Sequence, residues 1–439
     1  MTEHDRSDRR PATAPACAPA ASPPPDARQP YPSGPPPAWW AMSPQPPRAS
    51  ETPADRSGAG ERPVVREEQR GSSPDGLVDR PSADRSPPQR IWYESHHLLQ
   101  ALSVWTERVP GRGEDAEPFV AHHSPSGQGL LSVFDGSGGA GAAPVWQAAD
   151  GTSRTSAWVG ARVARLATDI WFREVSGGET ATPETLHEYL KYFLASAPQR
   201  RSKISGTMRR QLPTTLAAVH YRVLDAQGGL ELQPLWAGDS RAYVLREDAG
   251  LQVLTRDHTR ESDALELLRT DPPMTNLVCA DREFTIDSQR LRYRMPCVLV
   301  VATDGFFGYV HTPPDFECML LRTLQQAHTE GEWADQIRRE VQSYTADDAS
   351  LAVLALGYPT FQELRDRFAP RYQELADRYV RSRPRGLDRT PAASEAVAKP
   401  APEDPAGLPA RVRLWQDTTW QAYRAGYEIH LPPAPEERA

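Results

Sequence analysis

Leu130-Leu131-Ser132-Val133-Phe134-Asp135-Gly136-Ser137-Gly138-Gly139 runs from an apolar strand into a carboxylate and a glycine-rich turn. The glycines let backbone amides and carbonyls approach an ion or a phosphate. The pattern recurs where Val298-Leu299-Val300-Val301-Ala302 leads into Thr303-Asp304-Gly305-Phe306. It appears reversed where Asp347-Asp348-Ala349-Ser350 opens the apolar run Leu351 to Leu356, and a fourth acidic station, Gly113-Glu114-Asp115-Ala116, precedes them all. Buried strands that each bring a carboxylate to a sheet edge can build a site for hard divalent cations, which take several oxygen ligands. An unpaired charge at the end of a buried strand is costly, so Asp304 calls for a partner; the alternative is an N-cap for the segment after it.

Around these stations the chain is uneven. Twenty of its 44 prolines fall in the first 90 residues, in runs such as Pro35-Pro36-Pro37, so residues 1–90 read as a disordered tail. Strands are expected at Thr214 to Leu224, Leu230 to Trp236, Ala242 to Arg246 and Leu251 to Leu254. Helices are expected at Trp158 to Val175, at Pro183 to Ala197 with Thr182 as N-cap, and at Pro314 to His328 and Glu332 to Tyr344. Short strands, then helices, then one late strand predict an antiparallel α+β sandwich rather than βαβ repeats. Past Gly357 a charged helix (Phe361 to Ser382), a Pro/Ala linker (Pro384 to Pro409) and a helix with Trp420, Tyr423 and Tyr427 on one face are expected. A face so apolar marks a docking surface, against the main domain as plain structure or near the site as a gate.

The net charge of −8, with acids and bases interspersed, argues against nucleic acid as the ligand. No apolar run reaches the ~18–20 residues that span a bilayer. The charged start lacks a signal core, and Cys17, Cys279, Cys297 and Cys318 have no paired spacing. Together these features predict a cytoplasmic protein with reduced thiols.

Two further stretches complete a set: Gly238-Asp239-Ser240-Arg241-Ala242-Tyr243, and Leu254-Thr255-Arg256-Asp257-His258-Thr259. With Glu114-Asp115, Asp135 to Gly139, Thr214-Thr215, Thr303 to Phe306 and Asp347 to Ser350, they resemble the bacterial metal-dependent protein serine/threonine phosphatases of type 2C (the PPM family). All seven stretches stand in the family's order, across roughly residues 91–358. The resemblance implies a phosphatase-like domain there, with a helical extension over 359–439. Its fold would be a four-layer sandwich of two antiparallel β-sheets flanked by helices, with metals at one edge. It also implies two Mn2+ or Mg2+ ions, with room for a third, and a monomer that opposes a Ser/Thr kinase on a phosphoprotein substrate. Asp135 would bridge the two ions and Gly136 would ligate through its carbonyl. Asp304 and Asp347 would complete one ion, and Glu114 and Asp115 would serve the other. Paired divalent ions acidify a water and clamp an in-line displacement, so no Cys or Ser nucleophile is needed. Asp239 matches a motif residue often near the site, or else simply holds a turn.

Departures from the family pattern are local. Ala140 stands where many members carry His, leaving His122, His123 or a metal-bound water as the candidate acid. Arg108 and Arg112 compete for the phosphate-holding role, Pro213 replaces a usual Gly, and Asp348 a more frequent Asn. These changes motivate an alternative from another class, a non-catalytic module that binds phosphoproteins or acts as a scaffold.

Overall fold

The apolar runs beside the aspartates are central strands, as burial on two faces requires. The computed structural model describes residues 91–434 except 97, 149–150, 198–209, 271, 385–386 and 388–407. The Pro-rich stretch 1–90 and most of the expected linker therefore lie outside the described residues. The strands are β1 (Ile91–His96), β2 (Leu99–Thr106), β3 (Ala116–His123), β4 (Gln128–Phe134), β5 (Pro144–Gln147), β6 (Ser153–Thr155) and β7 (Leu216–Val223). They continue as β8 (Gly229–Ala237), β9 (Arg241–Arg246), β10 (Gly250–Val253), β11 (Asp287–Ser288), β12 (Leu291–Arg294), β13 (Cys297–Ala302) and β14 (Ala349–Leu356). The helices are α1 (Gly138–Gly141), α2 (Ser156–Ser176), α3 (Pro183–Ser196), α4 (Ala264–Arg269) and α5 (Asp304–Phe307). Four more follow: α6 (Pro313–Gln326), α7 (Glu330–Tyr344), α8 (Phe361–Leu375) and α9 (Leu408–Tyr427).

One sheet has the order β1-β2-β14-β13-β9-β10, and the other β11-β8-β7-β4-β3 with β12 also on β8. Neighbouring strands run antiparallel, with Val300 opposite both Val353 and Tyr243. Along β13, Cys297, Leu299 and Val301 join Leu131, Val133 and Val219 between the sheets. Val298, Val300 and Ala302 point the other way, into a core with Phe316, Leu320 and Ile337 of α6 and α7. Side chains alternate faces along a strand, so this double burial explains an uninterrupted apolar run. Helix α2 covers β3 and β4 with α3 behind it, while α7 covers β1 and β2. The result is a four-layer α+β sandwich.

Local chemistry explains the helix starts. Thr155, Thr182, Thr329 and Thr360 each accept a backbone N–H of the first turn, as N-caps do. Helix α8 is shorter than expected: it widens to a π turn over Ala376–Val380.

Helix α9 docks on its aromatic face. Trp415, Trp420, Tyr423 and Tyr427 are all buried, against β10, α6 and α4. Four such side chains contribute roughly 6–12 kcal/mol of gross apolar burial. Polar anchors fix the pose. Trp420 Nε1 donates to Asp263 at 3.0 Å, and the Tyr423 hydroxyl donates to the fully buried Glu317. Glu317 also accepts from Arg371 Nε of α8 at 2.7 Å and from the Leu251 amide at 3.0 Å. One carboxylate thus joins α6, α8, α9 and β10.

Candidate metal centre

Asp135 leaves the end of β4 with its backbone held on both sides. Its carbonyl accepts from Thr215 N at 2.8 Å and from Thr214 Oγ1 at 2.7 Å. Its amide donates to Thr215 Oγ1 at 3.3 Å. Gly136 follows with no room for a side chain, since a Cβ would lie 2.7 Å from the Glu114 carbonyl. Glu114 itself lies against Gly138 and accepts from the Thr155 hydroxyl at the head of α2.

At the end of β13, Thr303 takes the N-cap position and Asp304 is the first residue of α5. The N-cap alternative for Asp304 is therefore not what the chain adopts. Thr303 Oγ1 donates to Asp115 Oδ2 at 3.1 Å, and Thr303 N donates to Ser350 O at 2.9 Å. A Cβ on Gly305 would lie 2.0 Å from the Asp348 carbonyl, so only glycine lets these two stations touch. Asp348 accepts the amides of Arg108 at 2.8 Å and Glu114 at 2.6 Å, tying the last station to the first. Asp347 accepts from the Tyr309 hydroxyl at 3.2 Å.

The carboxyls perturb one another. Burial first, then the charges of Asp348 and Asp304, push Asp115 up to about 8. Burial and then Asp115 and Asp239 hold Asp135 well above the usual carboxylate range. Asp304 is raised by burial and then by Asp135 and Asp239. Glu114 and Asp348 are also raised, chiefly by burial. The Asp135 carboxyl is close enough to those of Asp115 and Asp304 for each to act on the other. Among the described residues, no three His, Cys, Asp or Glu side chains are placed as a group that could hold a metal ion.

Several site residues were not legible as such. Asp239, left open between site and turn, bears on both Asp135 and Asp304. Arg162 of α2 donates to the carbonyls of Glu114 at 3.2 Å and Asp115 at 3.0 Å while lying 3.9 Å over the Trp158 ring. Nothing in the helical period of α2 marks it. Arg108 and Arg112 are both exposed on the loop after β2. Of the two, Arg108 bears on Tyr309, the residue that touches Asp347; Arg112 caps a turn through its amide on Val109 O.

The two histidines require a correction. His122 pairs with Gly129 and His123 with Gln128, whereas Ala116 pairs with Phe134 beside Asp135. Six residues of strand put His122 about 20 Å from that end. It lies instead 2.9 Å from the Tyr221 hydroxyl. Neither histidine can serve the cleft as an acid.

No family model matches the chain, and no curated protein matches it. Solved structures do. The Mycobacterium tuberculosis serine/threonine phosphatase PstP is 17% identical with a TM-score of 0.41, over 59% of this chain and 98% of that one. PppA of Pseudomonas aeruginosa, a regulatory component of its T6SS, is 19% identical with a TM-score of 0.39, over 59% and 97%. The PstP catalytic domain with two manganese ions is 18% identical with a TM-score of 0.38, over 59% and 98%. The chain resembles the bacterial type 2C phosphatases. At such identities and TM-scores, function has to be read from the carboxylate edge itself.

Proposed function

We propose that this chain hydrolyses phosphoserine and phosphothreonine in proteins with the help of divalent cations. One observation carries the reading: carboxylates from five separate stretches meet at one edge of the sandwich, where burial and mutual repulsion raise Asp115, Asp135 and Asp304 together. The cation nearest Glu114, Arg162, commits its donors to backbone carbonyls. A donor set of carboxylate and carbonyl oxygens fits Mn2+ or Mg2+. Asp135 with Asp304 and Asp347 would hold one ion, and Asp135 with Glu114 and Asp115 the other, with the Gly136 carbonyl as a further ligand. Bound there, the ions would neutralise phosphoryl charge and acidify water for in-line attack.

The chain's own residues do the positioning. Thr214 and Thr215 fix Asp135, Thr155 and Arg162 fix the Glu114 loop, and Arg108 at the rim would take the outer phosphate oxygens. A cysteine mechanism is disfavoured: burial pushes the Cys297 thiol up to about 12 and Cys318 up to about 11, the wrong direction for a nucleophile. With His122 and His123 at the far end of the sheet, the leaving oxygen takes its proton from solvent water. Among the described residues no helix is long and apolar enough to cross a membrane. We read the chain as a cytoplasmic monomer opposing a Ser/Thr kinase.

Hydrolysis of p-nitrophenyl phosphate and of a phosphothreonine peptide, with manganese and with EDTA, tests this. Turnover should require the metal, and chelator-insensitive hydrolysis would sink the mechanism. Ala140, where many type 2C members carry His, favours the second reading of a non-hydrolysing phosphoprotein-binding module. Peptide binding without phosphate release would establish it.

A further inference from the structure

Arg241 is the residue on which the C-terminal helix and the carboxylate edge meet. It begins β9 directly after the turn Gly238-Asp239-Ser240, and only 5% of it is exposed. Its guanidinium forms a buried pair with Asp257, at 2.7 Å from Nη2 and 2.9 Å from Nε. The same group lies 4.3 Å over the ring of Phe307, three residues after Asp304 on α5. Its remaining arm, Nη1, donates to the Tyr427 hydroxyl of α9 at 3.4 Å. One residue, next in the chain to the turn that carries Asp239, therefore touches with its side chain the Asp257 loop, the short helix that carries Asp304, and the end of α9.

The surrounding bonds point the same way. Ser240 Oγ lies 2.6 Å from Thr215 Oγ1, and Thr215 is the residue that holds the Asp135 backbone. Gly238 N donates to His258 Nδ1 at 3.0 Å, so the Leu254 to Thr259 loop cradles the turn from its other side. That loop is strapped in turn by the chain beyond α9: Arg256 Nε donates to Pro432 O at 2.7 Å, and Gln289 Nε2 bridges Leu254 O at 2.9 Å and His430 O at 2.8 Å.

We propose that α9 is a positioning element of the carboxylate edge: Tyr427, acting through Arg241, fixes the geometry of Asp239 and Asp304. This goes beyond simple docking, for which burial of the aromatic face alone would suffice. It rests on the metal-dependent reading above only for its effect on metal binding. Buried guanidinium groups keep one geometry when every donor is matched, and removal of one acceptor frees the side chain to re-aim.

The full-length chain tests it with two variants. Tyr427→Phe keeps the ring and removes the acceptor on Arg241. Trp415→Phe perturbs the same helix at a residue that bonds Ser382 instead. Three quantities are read: hydrogen–deuterium exchange of residues 238–243 and 304–308, calorimetric Mn2+ affinity, and melting temperature. Tyr427→Phe should speed exchange in both segments and weaken Mn2+ binding about five-fold, the equivalent of one net hydrogen bond. Trp415→Phe should lower the melting temperature without either effect. Unchanged exchange and affinity in Tyr427→Phe would overturn the proposal, as would equal changes in Trp415→Phe. If the unmodified chain binds no Mn2+ and hydrolyses nothing, the functional reading falls, and exchange alone still decides the coupling.

Discussion

Substituting Asp135 by Asn should make the metal-free protein more stable and the enzyme inactive. The side chain keeps its shape and loses one of the charges crowded with Asp115, Asp239 and Asp304. Two like charges a few ångströms apart oppose each other by roughly 2–4 kcal/mol at an effective dielectric near 20. Proton uptake by the raised carboxyls already relieves part of that, which leaves a gain of about 2 kcal/mol. In a domain of this size that corresponds to about 3–4 °C in melting temperature. The assay is thermal unfolding at neutral pH, in EDTA and then in excess manganese. In EDTA the variant should melt higher. In manganese the order should reverse, because the unmodified protein alone gains binding free energy, about 2.7 kcal/mol at a hundred times Kd. Turnover of the variant should fall by orders of magnitude. A variant that melts lower in EDTA would refute the claim of mutual repulsion, and equal stabilisation of both proteins by manganese would remove Asp135 from the ligand set.

Three other outcomes follow from the fold. Glu317→Ala strands Arg371, whose side chain is only 11% exposed, so urea unfolding should show a loss of about 3–5 kcal/mol; a loss under about 1 kcal/mol would mean that Glu317 does not hold α6, α8 and α9 together. Burial pushes His220 down from 6.5 to about 4. The unfolded chain therefore binds the proton first as pH falls: the stability is fully present above about 6.5 and is lost towards pH 4, up to about 3 kcal/mol. His220→Gln should flatten that window, and parallel stability–pH curves for the two proteins would contradict it. Finally, a chain beginning at Ser86 should keep its metal-dependent rate, because residues 91–434 supply every carboxylate of the cluster; a large loss would show that the N-terminal stretch completes the site.

Legibility in the sequence followed burial. β4, β13 and β14 were plain because both faces are covered, which leaves an unbroken apolar run. β1 was not, since four of its six residues are exposed, and β3 carries a proline, Pro118, with His122 and His123 at half-buried positions. Three of the four acidic stations were legible because each follows or precedes such a run; Glu114-Asp115, beside the irregular β3, took its meaning from its order among the others. Arg162 and Thr155 were not, because one acts through backbone carbonyls and the other through a single hydroxyl on Glu114, where spacing carries no signal; Asp239 was legible only as a choice between site and turn. His122 misled for a related reason. Proximity in sequence to Asp135 says nothing about which end of a hairpin a residue occupies until the strand pairing is known.

β13 has one more consequence. Alternation normally fixes strand register, because a slip of one residue would turn the apolar set outward. Here both faces are apolar, so hydrophobicity alone scarcely distinguishes the native alignment from its neighbour. What distinguishes it lies at the strand's end: Thr303 bonded to Asp115 and Ser350, and Gly305 pressed on the Asp348 carbonyl. The cleft is thus also the strand's alignment mark, so variants at Thr303 or Gly305 threaten the pairing of the whole central ladder as well as the chemistry.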